Sequence, residues 1–283
     1  MPEERIDSHH HLWKYSHAEY PWMLEGMETI RRDFLVSDLQ RAMRSGGIDA
    51  VVTVQARQSV TETEWLLDLA SQHHFMCGVV GWLPLIDAKV GKQLEKYAAH
   101  PKLKAVRHVL HDEPDDLYML REDFNRGVAL LKEFGLKYDI LIFERHLPQT
   151  IQFVDRHPNQ IFIVDHIAKP RIKEHLTSPW QENIRELARR TNVYCKLSGL
   201  VTEADWLSWG EADLRPYIDV VLECFGPKRV MFGSDWPVMT VACPYNRWVE
   251  IVDRATSSLS PDERDRVLGG TAKEAYQLQS MTH

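Results

Sequence analysis

Eight short runs rich in β-branched and apolar residues recur along the 283-residue chain, and helix-spaced segments separate them. The runs are "RIDSHHHL" (5–12), "DAVVTVQA" (49–56), "CGVVGWLPL" (77–85) and "LKAVRHVL" (103–110), then "LKYDILIF" (136–143), "QIFIVDHI" (160–167), "NVYCKLSGL" (192–200) and "RVMFGSDWPV" (229–238). Between them, Val60 to His74 places Trp65, Leu66 and Leu69 at helical spacing, and Asp116 to Phe134 does so with Leu117, Leu120, Phe124, Val128 and Leu131. Several runs are apolar on both faces, as strands of a parallel sheet must be when helices cover one side and packed side chains fill the other. Eight such units without a Pro/Gly/Ser-rich linker predict an α/β fold, a closed (β/α)8 TIM barrel, which typically takes about 250 residues. We therefore expect one barrel domain over residues 1–283. A doubly wound open sheet is the alternative, but no G-x-G-x-x-G follows the first run. The stretch from Lys14 to Arg32 exceeds an ordinary connection and is expected to lie over the barrel mouth.

Charge narrows the partners. The 41 acidic and 34 basic residues are dispersed and give a net −7, so nothing resembles the basic footprint of a nucleic-acid or anionic-membrane binder. A small soluble molecule is the expected partner, with self-association left open. Cys77, Cys195, Cys224 and Cys243 form no C-x-x-C pair, which argues against a zinc knuckle or a redox motif. The first residues lack a basic segment followed by an apolar run, and no stretch of about 18 uncharged apolar residues occurs. A cytoplasmic protein with reduced thiols is the expectation.

The trio in "SHHHLW" sits inside a strand-like run, unlike a purification tag, which lies outside the fold. Strand alternation would turn Asp7, His9 and His11 one way and Ser8 and His10 the other. His9 and His11 would then face the barrel interior near the carboxyl end of strand 1, where active sites of this fold lie. Strand 6 ends in "VDHIAKP" with Asp165 and His166, strand 8 in "GSDWP" with Asp235, and strand 4 brings Arg107 and His108. Each alone is an ordinary polar strand end. Together at one mouth, His9, His11, His166 and Asp235 could hold a divalent ion or polarise a carbonyl without one.

"DSHHHLW", "VRH", "VDHIAKP", "KLSGL" and "GSDWPV", in this order, resemble the amidohydrolase superfamily, in its branch of lactonases acting on sugar acids and related carboxylate lactones. The resemblance spans nearly the whole chain. It implies a (β/α)8 barrel, hydrolysis at a carbonyl, His9 and His11 as the strand 1 pair, His166 as the strand 6 histidine and Asp235 as the general base. Substrates in the branch include fuconolactone, rhamnonolactone, galactarolactone and pyrone dicarboxylate. Two-metal members of the wider superfamily bridge their ions with a carboxylated lysine or a glutamate on strand 4 or 5, whereas strand 4 here lacks a lysine. Glu144 in "LIFERHLP" could approach a metal, or could pair with Arg145 or orient substrate. The cofactor reading stays open between none and one divalent ion such as zinc, held by His9, His11, His166 and Asp235.

The expected reaction is ring opening of an aldonolactone such as L-fuconolactone or L-rhamnonolactone. Asp235 would take a proton from water, the histidines or their ion would receive the oxyanion, and Asp235 would return the proton to the ring oxygen. Arg107, His108 and Gln55 are candidates to bind substrate oxygens, Trp13 and Trp236 to stack on a sugar ring, and Glu144 to contact substrate. Tyr15, Trp22 and Trp82 are further aromatic candidates. Lys196 shares a face with Ser198, and Gly269-Gly270 reads as backbone geometry in a closing helix. Two alternatives stay open: a metal-dependent decarboxylase of an unsaturated or aromatic acid, and a catalytically silent ligand-binding barrel.

Overall fold

The structure, a computed structural model, describes residues 4–279. Its strands are β1 (Ile6–His10), β2 (Ala50–Val54), β3 (Met76–Gly81), β4 (Leu103–Val109), β5 (Lys137–Leu141), β6 (Phe162–Val164), β7 (Val193–Leu197) and β8 (Val230–Phe232). They form an eight-stranded sheet in sequence order, every successive pair parallel. A parallel bridge from His10 to Trp236 joins the two ends. The protein is thus a (β/α)8 barrel. Helices α1 (Val36–Gly46), α2 (Val60–Gln72), α3 (Val90–Ala98), α4 (Glu122–Leu131), α5 (Leu147–Asp155), α6 (Trp180–Ala188) and α7 (Glu211–Phe225) connect the strands, and α8 (Tyr245–Ala255), α9 (Pro261–Asp265) and α10 (Thr271–Ala275) follow the last one. Among the described residues no helix is long and apolar enough to cross a membrane.

Two apolar cores result from strand alternation. Outward residues such as Val51, Val79, Val106, Ile140 and Leu197 meet the helices, while Ile6, Val52, Val54, Val80, Ile163 and Met231 fill the barrel. Fully burying each such side chain contributes about 1.5–3 kcal/mol. The inner core includes Ala272, Ala275 and Tyr276, so α10 stops the lower end of the barrel. Gly269 makes this possible, because a Cβ there would lie 2.0 Å from the Glu4 carbonyl oxygen. The glycine is therefore a close-approach position.

Two strand runs are shorter than their sequences suggest. β6 stops at Val164 and β8 at Phe232, because the motif tails turn into left-handed backbone: His166, Ile167, Ala168 and Lys169 have φ of 52°, 49°, 63° and 48°, and Asp235 has φ 63°. Non-glycine residues in that region each cost of order 1–3 kcal/mol, a strain that characteristically collects at functional sites. The 116–134 segment is likewise broken, by extended backbone at Arg121 (φ −60°, ψ 143°), so only Glu122–Leu131 is α-helical. Residues 14–32 leave and return through a neck where Trp13 and Phe34 exchange backbone hydrogen bonds. Inside that loop Tyr20, Met23 and Ile30 are buried.

The strand 1 alternation needs correction. A register shift between Asp7 and His10 breaks it. Asp7 turns toward the helices and accepts a hydrogen bond from Tyr245 of α8, while His9 turns inward. His10 faces outward, 2.8 Å from Thr53 Oγ1 on β2. Burial pushes its imidazole down to about 3 from the ordinary 6.5. The unfolded chain therefore binds a proton that the folded chain refuses, and stability is lost as pH falls from 6.5 toward 3. His10→Gln should flatten this dependence by an amount of order a few kcal/mol between those limits. Urea denaturation at neutral and mildly acidic pH checks it, and an unchanged pH slope in the variant would contradict the assignment.

Candidate active site

The seam between β1 and β8 builds the centre. Asp235 N donates to His9 O (2.7 Å) and His11 N to Trp236 O (2.7 Å), which sets Asp235 against both histidines. His11 Nε2 lies 3.2 Å from Asp235 Oδ1, and the Nε2 atoms of His9 and His166 each lie 3.8 Å from the same oxygen. His9 Nε2 and His11 Nε2 are 3.2 Å apart. The structure thus brings His9, His11, His166 and Asp235 around one point.

Partners on the far side of each ring fix its orientation. His11 Nδ1 is 2.9 Å from the Val54 carbonyl, which only accepts, so Nδ1 carries a proton and Nε2 is the nitrogen turned to the centre. His166 Nδ1 meets Ser198 Oγ at 2.9 Å. Gly199 gives that ring its room: φ is 66°, and a Cβ there would lie 2.5 Å from His166 Nδ1. His9 Nδ1 lies 3.2 Å from both Asp165 Oδ1 and Lys196 Nζ.

Burial holds His166 and His9 neutral, His166 at about 3 and His9 well below its ordinary range, the latter despite the opposing charge of Asp165. Burial pushes Asp235 the other way, but its surroundings, the Lys169 ammonium among them, outweigh it and keep the carboxyl below its ordinary value. Neutral imidazoles facing an ionised carboxylate form the donor set that a divalent ion takes. Their spacing fits as well, since ligands at zinc bond lengths in a tetrahedron stand ~3.4 Å apart. Among the described residues the groups able to hold an ion are His9, His11 and Asp235, and His9, Asp165 and His166.

Behind the histidines lies a charged layer. Arg107 Nη1 is 2.9 Å from Asp165 Oδ2 and 3.4 Å from His9 Nε2, and Arg107 also donates to the Gln55 carbonyl oxygen. Lys196 Nζ is 2.6 Å from Asp139 Oδ2 and 2.9 Å from Asp165 Oδ1. Lys196, His9 and Arg107 hold Asp165 well below its ordinary value although burial opposes them.

The other candidates separate. Gln55 is fully buried with both side-chain amide atoms unpartnered. His108 alternates with Arg107 and faces outward, stacked on Tyr118 and 2.6 Å from Glu113 Oε1, away from the centre. Trp13 has no exposed surface; its indole donates to Arg32 O and its ring packs with Tyr20, Trp22 and Phe34. Trp236 packs edge-on to Phe34. Both aromatics belong to the loop's packing, which departs from a sugar-stacking role. Tyr15 stacks on Tyr20 in the same loop, and Trp82 donates from its indole to His108 Nδ1. Glu144 stands outside the ion-holding groups and lines a neighbouring cleft of ≈ 910 Å³ with Phe143, Lys169, Glu203 and Trp206. Arg145 pairs with Asp116 instead. Lys169 links cleft to centre: it pairs with Glu203, and its charge acts on Asp235. Sequence reasoning missed Asp139 and Tyr276, and left Lys196 without a face. The available signal was a lone acid in "KYDIL" and a lone lysine in "VYCKL" at the inward parity of apolar strands.

The sequence pattern of the Amidohydrolase family matches residues 6–278. An L-fucono-1,5-lactonase of Burkholderia multivorans is 41% identical, over 97% of this chain and 96% of its own. An L-fucono-1,5-lactonase of Burkholderia ambifaria is 34% identical, over 97% of this chain and 96% of its own. The crystal structure of a Burkholderia multivorans amidohydrolase with bound zinc superposes with a TM-score of 0.94 at 41% identity, covering 98% of this chain and all of that one.

The donor geometry predicts that the metal-free protein, equilibrated with zinc and desalted, retains one ion per chain by elemental analysis. Asp235→Asn or His11→Ala should lower retention ~10–100-fold in affinity, whereas His108→Ala should leave it unchanged. Equal retention in all of these would place the ion elsewhere.

Proposed function

The chain belongs to the Amidohydrolase family, and from that premise we propose that it is a hydrolase opening the ring of a sugar-acid lactone, with L-fucono-1,5-lactone as the first substrate to test. The observation that carries this reading is the single carboxylate oxygen of Asp235, within 3.2 to 3.8 Å of three buried imidazole nitrogens. Its support from relatives is that two, at 41% and 34% identity along nearly the whole chain, are L-fucono-1,5-lactonases.

In the proposed reaction Asp235, ionised at neutral pH, takes a proton from a water beside it, and the water oxygen adds to the lactone carbonyl. The addition leaves an oxyanion on the former carbonyl. Arg107, whose Nη1 reaches within 3.4 Å of His9 Nε2, is the fixed cation facing that charge. An ion held by His9, His11, His166 and Asp235 would supply further polarisation of the carbonyl. Collapse breaks the bond to the ring oxygen, which receives the proton from Asp235. A lactone leaves as an alkoxide from an ester rather than as an amide nitrogen, so one carboxylate can serve as base and then as acid. Gln55, with its buried unpartnered amide, is proposed to bind a substrate hydroxyl, and the cleft beyond Lys169 gives the polyol end room.

A pH-indicator screen of aldonolactones and dicarboxylate lactones tests the reading, on metal-assayed protein before and after chelation. Proton release with an aldonolactone is expected, and none with any lactone would overturn the proposal. Asp235→Asn should lower kcat about 10²–10⁴-fold. Because the Asp235 carboxyl is held below its ordinary value, the base stays ionised, and kcat of the parent should stay level between about pH 7 and about pH 5. An acid limb within that interval would implicate another base.

A further inference from the structure

We propose that the ion pair of Lys169 and Glu203 selects among lactones by charge: it receives the substituent farthest from the lactone carbonyl, accepts a neutral hydroxylated one and turns a carboxylate away. This selection rests on the reading of the substrate as a sugar-acid lactone, and within that class it separates neutral aldonolactones from dicarboxylate lactones.

Lys169 stands where the centre opens into the neighbouring cleft. Its backbone is left-handed at φ 48°, and its N–H donates to His166 O at 2.8 Å, so the side chain departs close behind a histidine of the centre. Its charge acts on Asp235 on one side, and on the other it lines the cleft of ≈ 910 Å³ with Glu203, Phe143 and Trp206. Lys169 Nζ pairs with Glu203 Oε1 and lies 5.8 Å from the centroid of the Phe143 ring, on which His111 also packs at 4.6 Å. Both members of the pair are largely withdrawn from solvent, with 16% and 19% of their side chains exposed. Among the described residues Glu203 Oε1 is the one hydrogen-bond partner of this ammonium, so two of its three N–H groups remain to donate. Glu203 Oε2 likewise remains to accept.

Free N–H donors beside a free carboxylate oxygen suit hydroxyl groups, each of which accepts one hydrogen bond and donates another. Phe143 and Trp206 offer apolar surface to the C–H bonds of the same substituent. A carboxylate has no proton to give Glu203, and it meets that residue's charge in a place where solvent screens little. The rest of the cleft does not reverse the balance, because four basic and four acidic side chains line it. Arg145, one of the four bases, is answered from outside the cleft by Asp116. Glu203 therefore cancels the charge of Lys169 and leaves its N–H groups in use. Without the Glu203 charge, the same ammonium would become a receptor for an anion.

L-galactonate and galactarate test the proposal, because they differ at one carbon, which is a hydroxymethyl group in the first and a carboxylate in the second. Both are already ring-opened acids, and titration calorimetry on the parent and on folded variants gives the ratio of their affinities. The parent should bind L-galactonate ~10-fold more tightly or better. Glu203→Gln keeps the shape and removes the charge, and it should shift the ratio ~10–100-fold toward galactarate. Raised salt should shrink that shift. Lys169→Met leaves the Glu203 charge alone in the cleft and should move the ratio the opposite way. A merely structural ion pair predicts that each variant weakens both acids alike. An unchanged ratio in the folded variants, a shift of both in one direction, or binding of neither acid to the parent overturns the proposal. Where one variant does not fold, the direction of the other and the preference of the parent decide. Turnover is not read, so a barrel that binds L-galactonate yet opens no lactone fails the proposed reaction and leaves this selection standing.

Discussion

The seam between the first and last strands is the constraint on which the rest of the site depends. Two backbone hydrogen bonds cross it, from Asp235 N to His9 O and from His11 N to Trp236 O, both 2.7 Å. Asp7 reinforces it by accepting from Ser234 N, Ser234 Oγ and Tyr245 OH. Because sheet pairing fixes backbone position to within a hydrogen-bond length, joining these segments fixes Asp235 relative to the histidines. Closing the barrel and assembling the centre are one event.

Below the centre the barrel interior changes character over one layer. The floor is apolar, with Val52, Val54, Ile163, Met231 and Tyr276, while the next inward positions are Arg107, Asp139, Asp165 and Lys196. Two cations and two acids cancel. Charges buried this deeply would be costly alone, and removing one partner of such a set typically costs about 3–5 kcal/mol. The layer sets His9 Nδ1 3.2 Å from both Lys196 Nζ and Asp165 Oδ1. Left-handed backbone at His166 and Asp235 belongs to the same design, since strands running on would carry both side chains away from the seam.

Much of this was legible in the sequence, and the limits are physical. Eight buried parallel strands announce themselves by apolar runs on both faces, and polar residues closing those runs point to the mouth. Alternation failed at Asp7 because a register shift is a property of two paired strands, and a single strand's pattern does not contain it. The outward turn of His108 follows from parity with Arg107, and the pair "RH" hid this by offering two attractive side chains at once. Trp13 read as a ring-stacking surface because exposure of an aromatic in a long loop depends on how that loop folds back. Asp139 and Tyr276 stand 137 residues apart, and their contact exists only once α10 plugs the barrel.

The central claim is that water attacks the carbonyl carbon of a sugar-acid lactone beside Asp235. Hydrolysis of L-fucono-1,5-lactone in ¹⁸O-labelled water, with mass spectrometry of the product at early times, tests it most directly. The account predicts one labelled oxygen in the new carboxylate and none in the hydroxyl released from the ring. Label in that hydroxyl, or no enzyme-dependent label at all, would contradict it.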